Sequence, residues 1–228
     1  MMRLLLLALI ITTPIIADPL LTYTGYAYES DGKSLIYTDH YKELNHQGRH
    51  QAKVTYRDPK ANIMAQKTIY YNENKASPSF RFENHVTGVI ASVNVGKDIQ
   101  IAYKKSHDSK FEYHTQKLTD NTVIDAGFHY FIRRHWTTLI NGDSQEISYL
   151  SPSKGRYFTL EIKAIPSITP KTSRFIIQPR SFLARLFVTP IIVTYKSKSK
   201  QLLRYQGASN IKLSKVSLTI DMRINHPN

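Results

Sequence analysis

The spacing of hydrophobic residues predicts that most of this chain forms β-strands. From Leu21 to Leu118 apolar and polar residues alternate, and turn residues recur about every eight to twelve positions. A period of two is typical of strands that bury one face. The pattern therefore predicts an antiparallel meander in this half of the chain.

One stretch, Asp125 to Gly142, has a helical period instead. At about 100° per residue, one arc of it is apolar and the opposite arc is polar. The apolar arc contains Phe131, Ile132, Trp136 and Leu139 with Ile140 at its margin, and the polar arc contains Tyr130, Arg133, Arg134 and Thr137. We predict a helix at about 125–141, with Asp125 as its N-cap and Asn141-Gly142 as its end.

Strand patterns return after the helix, and the last one is the clearest. Val216, Leu218, Ile220, Met222 and Ile224 alternate with polar residues. The fold class predicted is α+β and β-rich, with a curved antiparallel sheet, an incomplete barrel, wrapped around one central helix. Residues 18–228 are expected to form a single β-rich domain.

The first 17 residues have the composition of a secretory signal peptide. Arg3 supplies the positive charge, Leu4 to Ile11 the apolar run, and Ala17 the expected end. The apolar run is shorter than the roughly 20 residues of a membrane span. We therefore expect a cleaved signal, export to the periplasm, and no transmembrane segment afterwards.

The positive net charge of the chain indicates which kinds of partner it could bind. The formal net charge is +14, and removal of Arg3 lowers it to about +13. Basic charge on this scale favours polyanionic partners. Because export makes nucleic acid an improbable partner, anionic envelope surfaces such as lipid head groups remain. A basic surface that only keeps the protein soluble is the simpler alternative.

No sequence motif indicates catalysis. The chain has no cysteine, which excludes disulfides and thiolate chemistry. Gly32-Lys33-Ser34 lacks the upstream glycine of a phosphate loop, and no nucleophile-elbow motif occurs. His129 and His135 are too far apart around a helix to share a metal. We expect a non-enzymatic protein without a metal or other cofactor.

Five residues are candidates for ligand binding: Phe131, His135, Trp136, Phe187 and Arg204. His135 lies within the apolar arc, where it is either a core histidine bonded to a strand or a polar anchor for a ligand head group in a cavity. Phe187 belongs to the apolar stretch 181–187, which either plugs the end of the core or forms an exposed lip at a cavity mouth. Arg204 ends a basic stretch that is either a solvated edge or a head-group site.

Three stretches carry a resemblance to a known family. VIDAGFHYFIRRHWTTLINGD, SYLSPSKGRYFTLEI and FLARLFVTPIIVTYKSKSKQLLRYQGASNI resemble an uncharacterised group of proteobacterial periplasmic proteins, over roughly Val123 to Ile211. More loosely, the layout is similar to the periplasmic lipoprotein-carrier and sensor fold, in which helices close an incomplete barrel. The chain departs from that fold because it has one good helix where carriers have more.

These observations predict a binding or carrier protein for an acyl-chain ligand, which is a lipid or a lipidated protein. The alternative is an envelope-assembly or interaction protein whose basic surface contacts polyanions or protein partners and which has no ligand cavity. A hydrolase comes third, and it would need a serine or aspartate close to His135.

Overall fold

The computed structural model describes residues 21–46, 48–213 and 218–227. The predicted signal peptide, 1–17, lies outside the described residues. Within these ranges fifteen strands are present: β1 Leu21–Glu29, β2 Leu35–His46, β3 Arg49–Arg57, β4 Ile63–Tyr70, β5 Ser79–Asn84, β6 Ile90–Val95, β7 Asp98–Lys104, β8 Phe111–Lys117, β9 Thr122–Ile124, β10 Gln145–Ser151, β11 Arg156–Ile165, β12 Thr172–Pro179, β13 Ile191–Lys196, β14 Leu202–Ala208 and β15 Thr219–Asn225. The α-helices are α1 Phe128–Arg134, α2 Trp136–Ile140 and α3 Phe182–Arg185. None of the helices in these ranges is long and apolar enough to cross a membrane.

All fifteen strands belong to one curved sheet. Its order is β8-β7-β6-β5-β4-β3-β2-β1-β15-β14-β13-β12-β11-β10-β9, so the two halves of the chain join where β1 pairs with β15. Every pair is antiparallel except β9 with β10. The sheet is open between β8 and β9, which confirms the predicted incomplete barrel around one central helical segment.

The open seam is bridged by side chains. Gln116 Nε2 donates to the carbonyl oxygen of Gly155 at 2.8 Å, and the Tyr157 hydroxyl donates to the Lys117 carbonyl at 2.6 Å. A Cβ on Gly155 would lie 2.3 Å from the His114 ring, and the residue has a φ of +60°. Glycine is therefore required where the β10–β11 turn approaches β8.

Buried side chains form two clusters. One fills the half built from β1–β8 and includes Tyr37, Tyr56 and Ile101, together with Ile124 and Leu150 from β9 and β10. The other packs the helix against β10–β13. Strand β9 is buried along its whole length, and it lies where the two clusters meet. Its three residues and parallel pairing left no alternation to detect, which is why the sequence did not predict it.

The predicted helix face is confirmed, but the helix is interrupted. Phe131, Ile132, Trp136 and Leu139 are buried, while Ile140 at the margin is 46% exposed. A 3₁₀ turn at Asp125–Gly127 precedes α1, and His135 separates α1 from α2 with φ −96° and ψ 19°. Gly142, at φ +101°, follows the last helical turn as predicted.

Asp125 is not the N-cap that the sequence predicted. Its carboxylate makes no capping hydrogen bond and instead accepts from Lys67 Nζ at 2.7 and 2.8 Å. The Lys67 side chain on β4 is only 4% exposed, so it needs a countercharge inside the barrel. Asp125 supplies that charge from a left-handed backbone conformation, with φ +51°.

The loop before β5 holds the start of the helical segment. The Ile124 amide donates to the Ala76 carbonyl at 3.0 Å, and the Ser77 hydroxyl donates to the Thr122 carbonyl at 2.6 Å. A Cβ on Gly127 would lie 2.0 Å from that same Ala76 oxygen. Close backbone approach therefore explains a glycine in the first turn, where helix propensity disfavours it.

The predicted last strand is present as β15, although Val216 lies outside the described residues. Asp221 is one of the polar residues that alternate with the apolar ones in this strand, yet it is 2% exposed. Arg204 from β14 binds its carboxylate at 2.5 and 2.8 Å, and Arg223 approaches at 3.4 Å. The two guanidinium groups cover the carboxylate, and they account for its burial.

Asp39 allows a test of how burial affects a carboxyl group inside the barrel. Burial raises its pKa from 3.8 to about 6, against the lowering effects of the Gly25 amide and of Lys67. A folded-state pKa above the unfolded value means that the native state binds the extra proton between about pH 4 and pH 6, so stability falls as the pH rises through that range. Asp39→Asn keeps an acceptor for the Gly25 amide but has no proton to bind. Its unfolding free energy relative to wild type should therefore rise by about 3 kcal/mol from pH 3.5 to pH 7.

The measurement is the free energy of unfolding from denaturant titrations at several pH values. Asp58→Asn is the control, because hydrogen bonds from Asn62 lower the pKa of that exposed carboxyl. The unfolding free energy of this variant relative to wild type should therefore fall, and not rise, as the pH increases. An Asp39→Asn effect of the same size at pH 3.5 and pH 7 would contradict the assignment.

Candidate functional site

The structure places the five candidate residues in three separate regions. Phe131 and Trp136 are buried in the helical cluster, where the Trp136 ring lies 5.1 Å from Phe175 and 5.6 Å from Tyr195, centre to centre. Both side chains are packed into the core. Their contribution to ligand binding stays a prediction.

His135 lies at the break between α1 and α2 and is half-buried. Its ring stacks on Phe131 with centroids 4.4 Å apart. Burial, together with the nearby charge of Arg134, lowers the pKa of His135. The residue therefore favours the neutral form, and it does not line the cavities described below.

Phe187 and Arg204 do not belong to the cluster of buried side chains around the helix. Phe187 is 87% exposed just after α3, together with Phe182, Leu183 and Leu186. Of the two alternatives for residues 181–187, the plug at the end of the core is wrong, because the large side chains point outwards, and the exposed lip is the alternative that fits. Arg204 lies on the outer face of β14, where Asp221 engages its guanidinium group.

A long groove lies under α3, and we call it the α3 groove. Its volume is about 1000 Å³. The apolar lining consists of Tyr149, Phe158, Leu160, Pro179, Ala184, Val188, Ile191 and Ala208, and the polar lining includes Ser151, Thr159, Ser181 and Thr189. An ion pair between Arg180 and Glu146 lies at its rim. Apolar walls with a few polar groups are typical of ligand sites.

The inner side of the groove borders the buried ion pair. Tyr149 and Ser151 line both the α3 groove and a smaller cavity of about 200 Å³ that contains Lys67 and Asp125. Lys67 Nζ lies 5.6 Å from the ring centroids of both Phe80 and Phe82. The groove thus has polar groups both at its rim and on its inner side, with apolar walls between them, an arrangement that suits an amphiphilic molecule.

Arg185 holds α3 above the groove. Its Nε donates to the Pro179 carbonyl at 2.7 Å, and its NH2 group donates to Glu161 at 3.0 Å and to the Arg180 carbonyl at 3.2 Å. This guanidinium group replaces an apolar anchor, since the large apolar side chains of α3 face solvent. The helix is therefore fixed by polar contacts at one point.

A second cavity of about 410 Å³ lies beside α1, and we call it the α1 cavity. At its base Glu43 is 5% exposed and accepts hydrogen bonds from the hydroxyls of Tyr41 at 2.8 Å and Tyr130 at 3.1 Å, and it also contacts His50. The cavity is also lined by three cationic side chains: Lys75, Arg133 and Lys200.

His129 and His226 line the α1 cavity, whereas His135 does not. Burial lowers the pKa of His129 to about 3, with a smaller contribution from Arg133. Its Nδ1 lies 3.3 Å from the Tyr195 hydroxyl. In the described ranges no group of three or more His, Cys, Asp or Glu side chains is arranged to hold a metal ion.

The residues that sequence reasoning missed are Glu43, Lys67 and His129. Glu43 has the same strand parity as Tyr37, Asp39 and Tyr41 on β2, and Lys67 has that of Ala65 and Ile69 on β4. Glu43 and Lys67 therefore point to the same side of their strands as the buried residues. A charged residue at an alternating core position was the sequence feature that could have identified them. His129 gave no such signal, because its burial depends on Tyr195 from a distant strand.

Comparison with known proteins places the fold in a class. The chain is similar to a solved crystal structure from Brucella abortus, a β-barrel-like protein of the domain of unknown function DUF1849. The TM-score is 0.50 and the sequence identity 8%, over 93% of this chain and 100% of the other. Neither a family model nor a curated protein sequence matches the chain. The protein therefore has a β-barrel-like fold, and the likeness bears on the fold alone.

Arg185 allows a direct test of how α3 is held. Arg185→Ala removes three hydrogen bonds and should speed amide hydrogen exchange in residues 181–188 by at least about tenfold, since local opening is limited there by few other contacts. Arg180→Ala is the matched control, because it removes an exposed ion pair that contributes little. Equal exchange rates in the two variants would contradict the role given to Arg185.

Proposed function

We propose that this protein is a non-enzymatic binding or carrier protein for an acyl chain, which it holds in the α3 groove. The observation that carries the proposal is the apolar lining of a groove of about 1000 Å³. This volume is at the upper end of the range of about 300–1000 Å³ that ligand sites occupy. Burying an acyl chain there would contribute about 0.8 kcal/mol for each methylene removed from water.

The polar groups around the groove suit the other end of such a ligand. A carboxylate or phosphate head group would meet Arg180 at the rim, in competition with Glu146. The hydroxyls of Ser181 and Thr189 offer further hydrogen bonds. An acyl chain attached to a lipid and one attached to a lipidated protein present the same apolar part, so either is compatible with the groove.

The expected signal peptide supports a periplasmic setting, where both kinds of ligand would be available to a carrier. The alternative is an interaction protein whose basic surface binds polyanions. The net charge of +14 favours that alternative, and it requires no groove. Uptake of an acyl probe by the protein in solution distinguishes the two.

Filling the groove should weaken this uptake. Ala184 on α3 is half-buried and lines the groove, so Ala184→Trp should weaken binding of a fluorescent fatty acid by at least about tenfold, because the indole occupies the site. Leu183→Trp is the matched control, since Leu183 is 69% exposed and does not line the groove. The readout is a titration of probe fluorescence, with the folded state checked by circular dichroism.

Two results would count against the proposal. In the first, the wild-type protein takes up no acyl probe even after delipidation. In the second, it binds the probe but Ala184→Trp and Leu183→Trp bind it equally well, which would place the ligand elsewhere.

A further inference from the structure

The segment from Ser181 to Val188, which we call the α3 segment, exposes an unusual amount of apolar surface. Phe182, Leu183, Leu186 and Phe187 are 65–87% exposed, and Val188 is 49% exposed. Soluble monomers rarely expose contiguous apolar patches of more than a few hundred Å², and larger ones mark sites of interaction.

The exposed side chains are presented by an anchored segment. Arg185 binds the Pro179 and Arg180 carbonyls and the Glu161 carboxylate, while Ala184 and Val188 line the α3 groove. The same segment thus directs Ala184 towards the groove and its largest apolar residues into solvent. A segment that served only to cover the groove would turn Phe182 and Phe187 towards it.

The charges around the α3 segment indicate what covers it. Lys154 and Lys212 are exposed on connections at this end of the barrel and Arg156 is exposed at the start of β11, and across the described ranges none of them forms an ion pair with a carboxylate. Arg156 lies 5.0 Å over the ring of Phe158, a residue of the groove lining. Lys212 and Ser153, next to Lys154, line the small inner cavity that shares Tyr149 with the groove.

The nearby acidic groups do not offset this charge. Glu146 is paired with Arg180, and Glu161 is paired with Arg185. Lys154, Arg156 and Lys212 therefore contribute positive charge at this end of the barrel that no ion pair among the described residues offsets. An apolar patch with a basic surround is complementary to a bilayer that contains anionic lipids, because acyl chains and head groups satisfy the two parts at once.

We propose that the α3 segment docks on an anionic lipid bilayer, with Phe182 and Phe187 inserted among the head groups and Lys154, Arg156 and Lys212 contacting lipid phosphates. This inference rests on the proposed function in one respect: it identifies the bilayer as the place where the α3 groove would load or release an acyl chain. Docking itself requires no ligand in the groove.

The test uses Phe187→Trp in the full exported chain, because the single native tryptophan, Trp136, is buried and gives a constant background. Vesicles of phosphatidylglycerol mixed with phosphatidylcholine should shift the emission of Phe187→Trp to shorter wavelength, and brominated acyl chains should quench it. Ile168→Trp is the matched control, since Ile168 is 71% exposed in the β11–β12 loop, at the opposite end of the barrel. It should show neither effect.

Co-sedimentation with vesicles then separates the contribution of the apolar side chains from that of the basic residues. Phe187→Ser should weaken binding to anionic vesicles by at least about tenfold, and so should raising the salt concentration, which screens the basic residues. Vesicles of phosphatidylcholine alone should bind weakly. Neither Phe187→Ser nor Ile168→Ser should change uptake of the acyl probe in the absence of vesicles.

Three outcomes would overturn the docking proposal. They are the absence of any vesicle binding, equal quenching of Phe187→Trp and Ile168→Trp, and a dimer in vesicle-free solution that Phe187→Ser abolishes, which would assign the segment to a second copy of the chain. Probe uptake without vesicle binding refutes docking alone. Vesicle binding without probe uptake refutes the acyl-binding function alone.

Discussion

The buried ion pair between Lys67 and Asp125 is the interaction on which the arrangement of this barrel depends. Lys67 projects from β4 into the first cluster, and Asp125 marks the point where β9 becomes helical. Leaving either charge buried without the other would cost several kcal/mol, so the pair fixes where the chain enters the barrel. The Ala76 carbonyl then receives the Ile124 amide and leaves room only for glycine at position 127.

The position in which these contacts hold the helical segment determines where the barrel has free space. The apolar face of α1 and α2 is used against β10–β13, so the core on that side is filled. Space remains beside α1, where Glu43 and three cations converge, and under α3 at the other end of the strands. The α3 groove is the more apolar of the two, which supports an acyl ligand, and the exposed apolar side chains of the α3 segment beside it support a bilayer contact.

Alternation and helical period were sufficient to predict the curved sheet, the central helix and the buried set Phe131, Ile132, Trp136 and Leu139. They failed where tertiary contacts override local pattern. Asp125 has the residue type of an N-cap, but the unpaired charge of Lys67 outweighs a capping bond of about 1 kcal/mol. The outward orientation of Phe182 and Phe187 contradicts their hydrophobicity and follows from the Arg185 anchor. Strand β10, with the burial of its residues mixed between both faces, offered no clean period of two.

The seating of the helix by this ion pair is tested most directly by a double-mutant cycle of Lys67→Met and Asp125→Asn. Asparagine tolerates the left-handed backbone of position 125, so the second change removes charge without adding strain. Each single variant should lose about 3–5 kcal/mol of unfolding free energy. The double variant should lose less than the sum by at least about 1 kcal/mol, because neither charge is then left alone. Additive losses would contradict an ion pair that seats the helical segment.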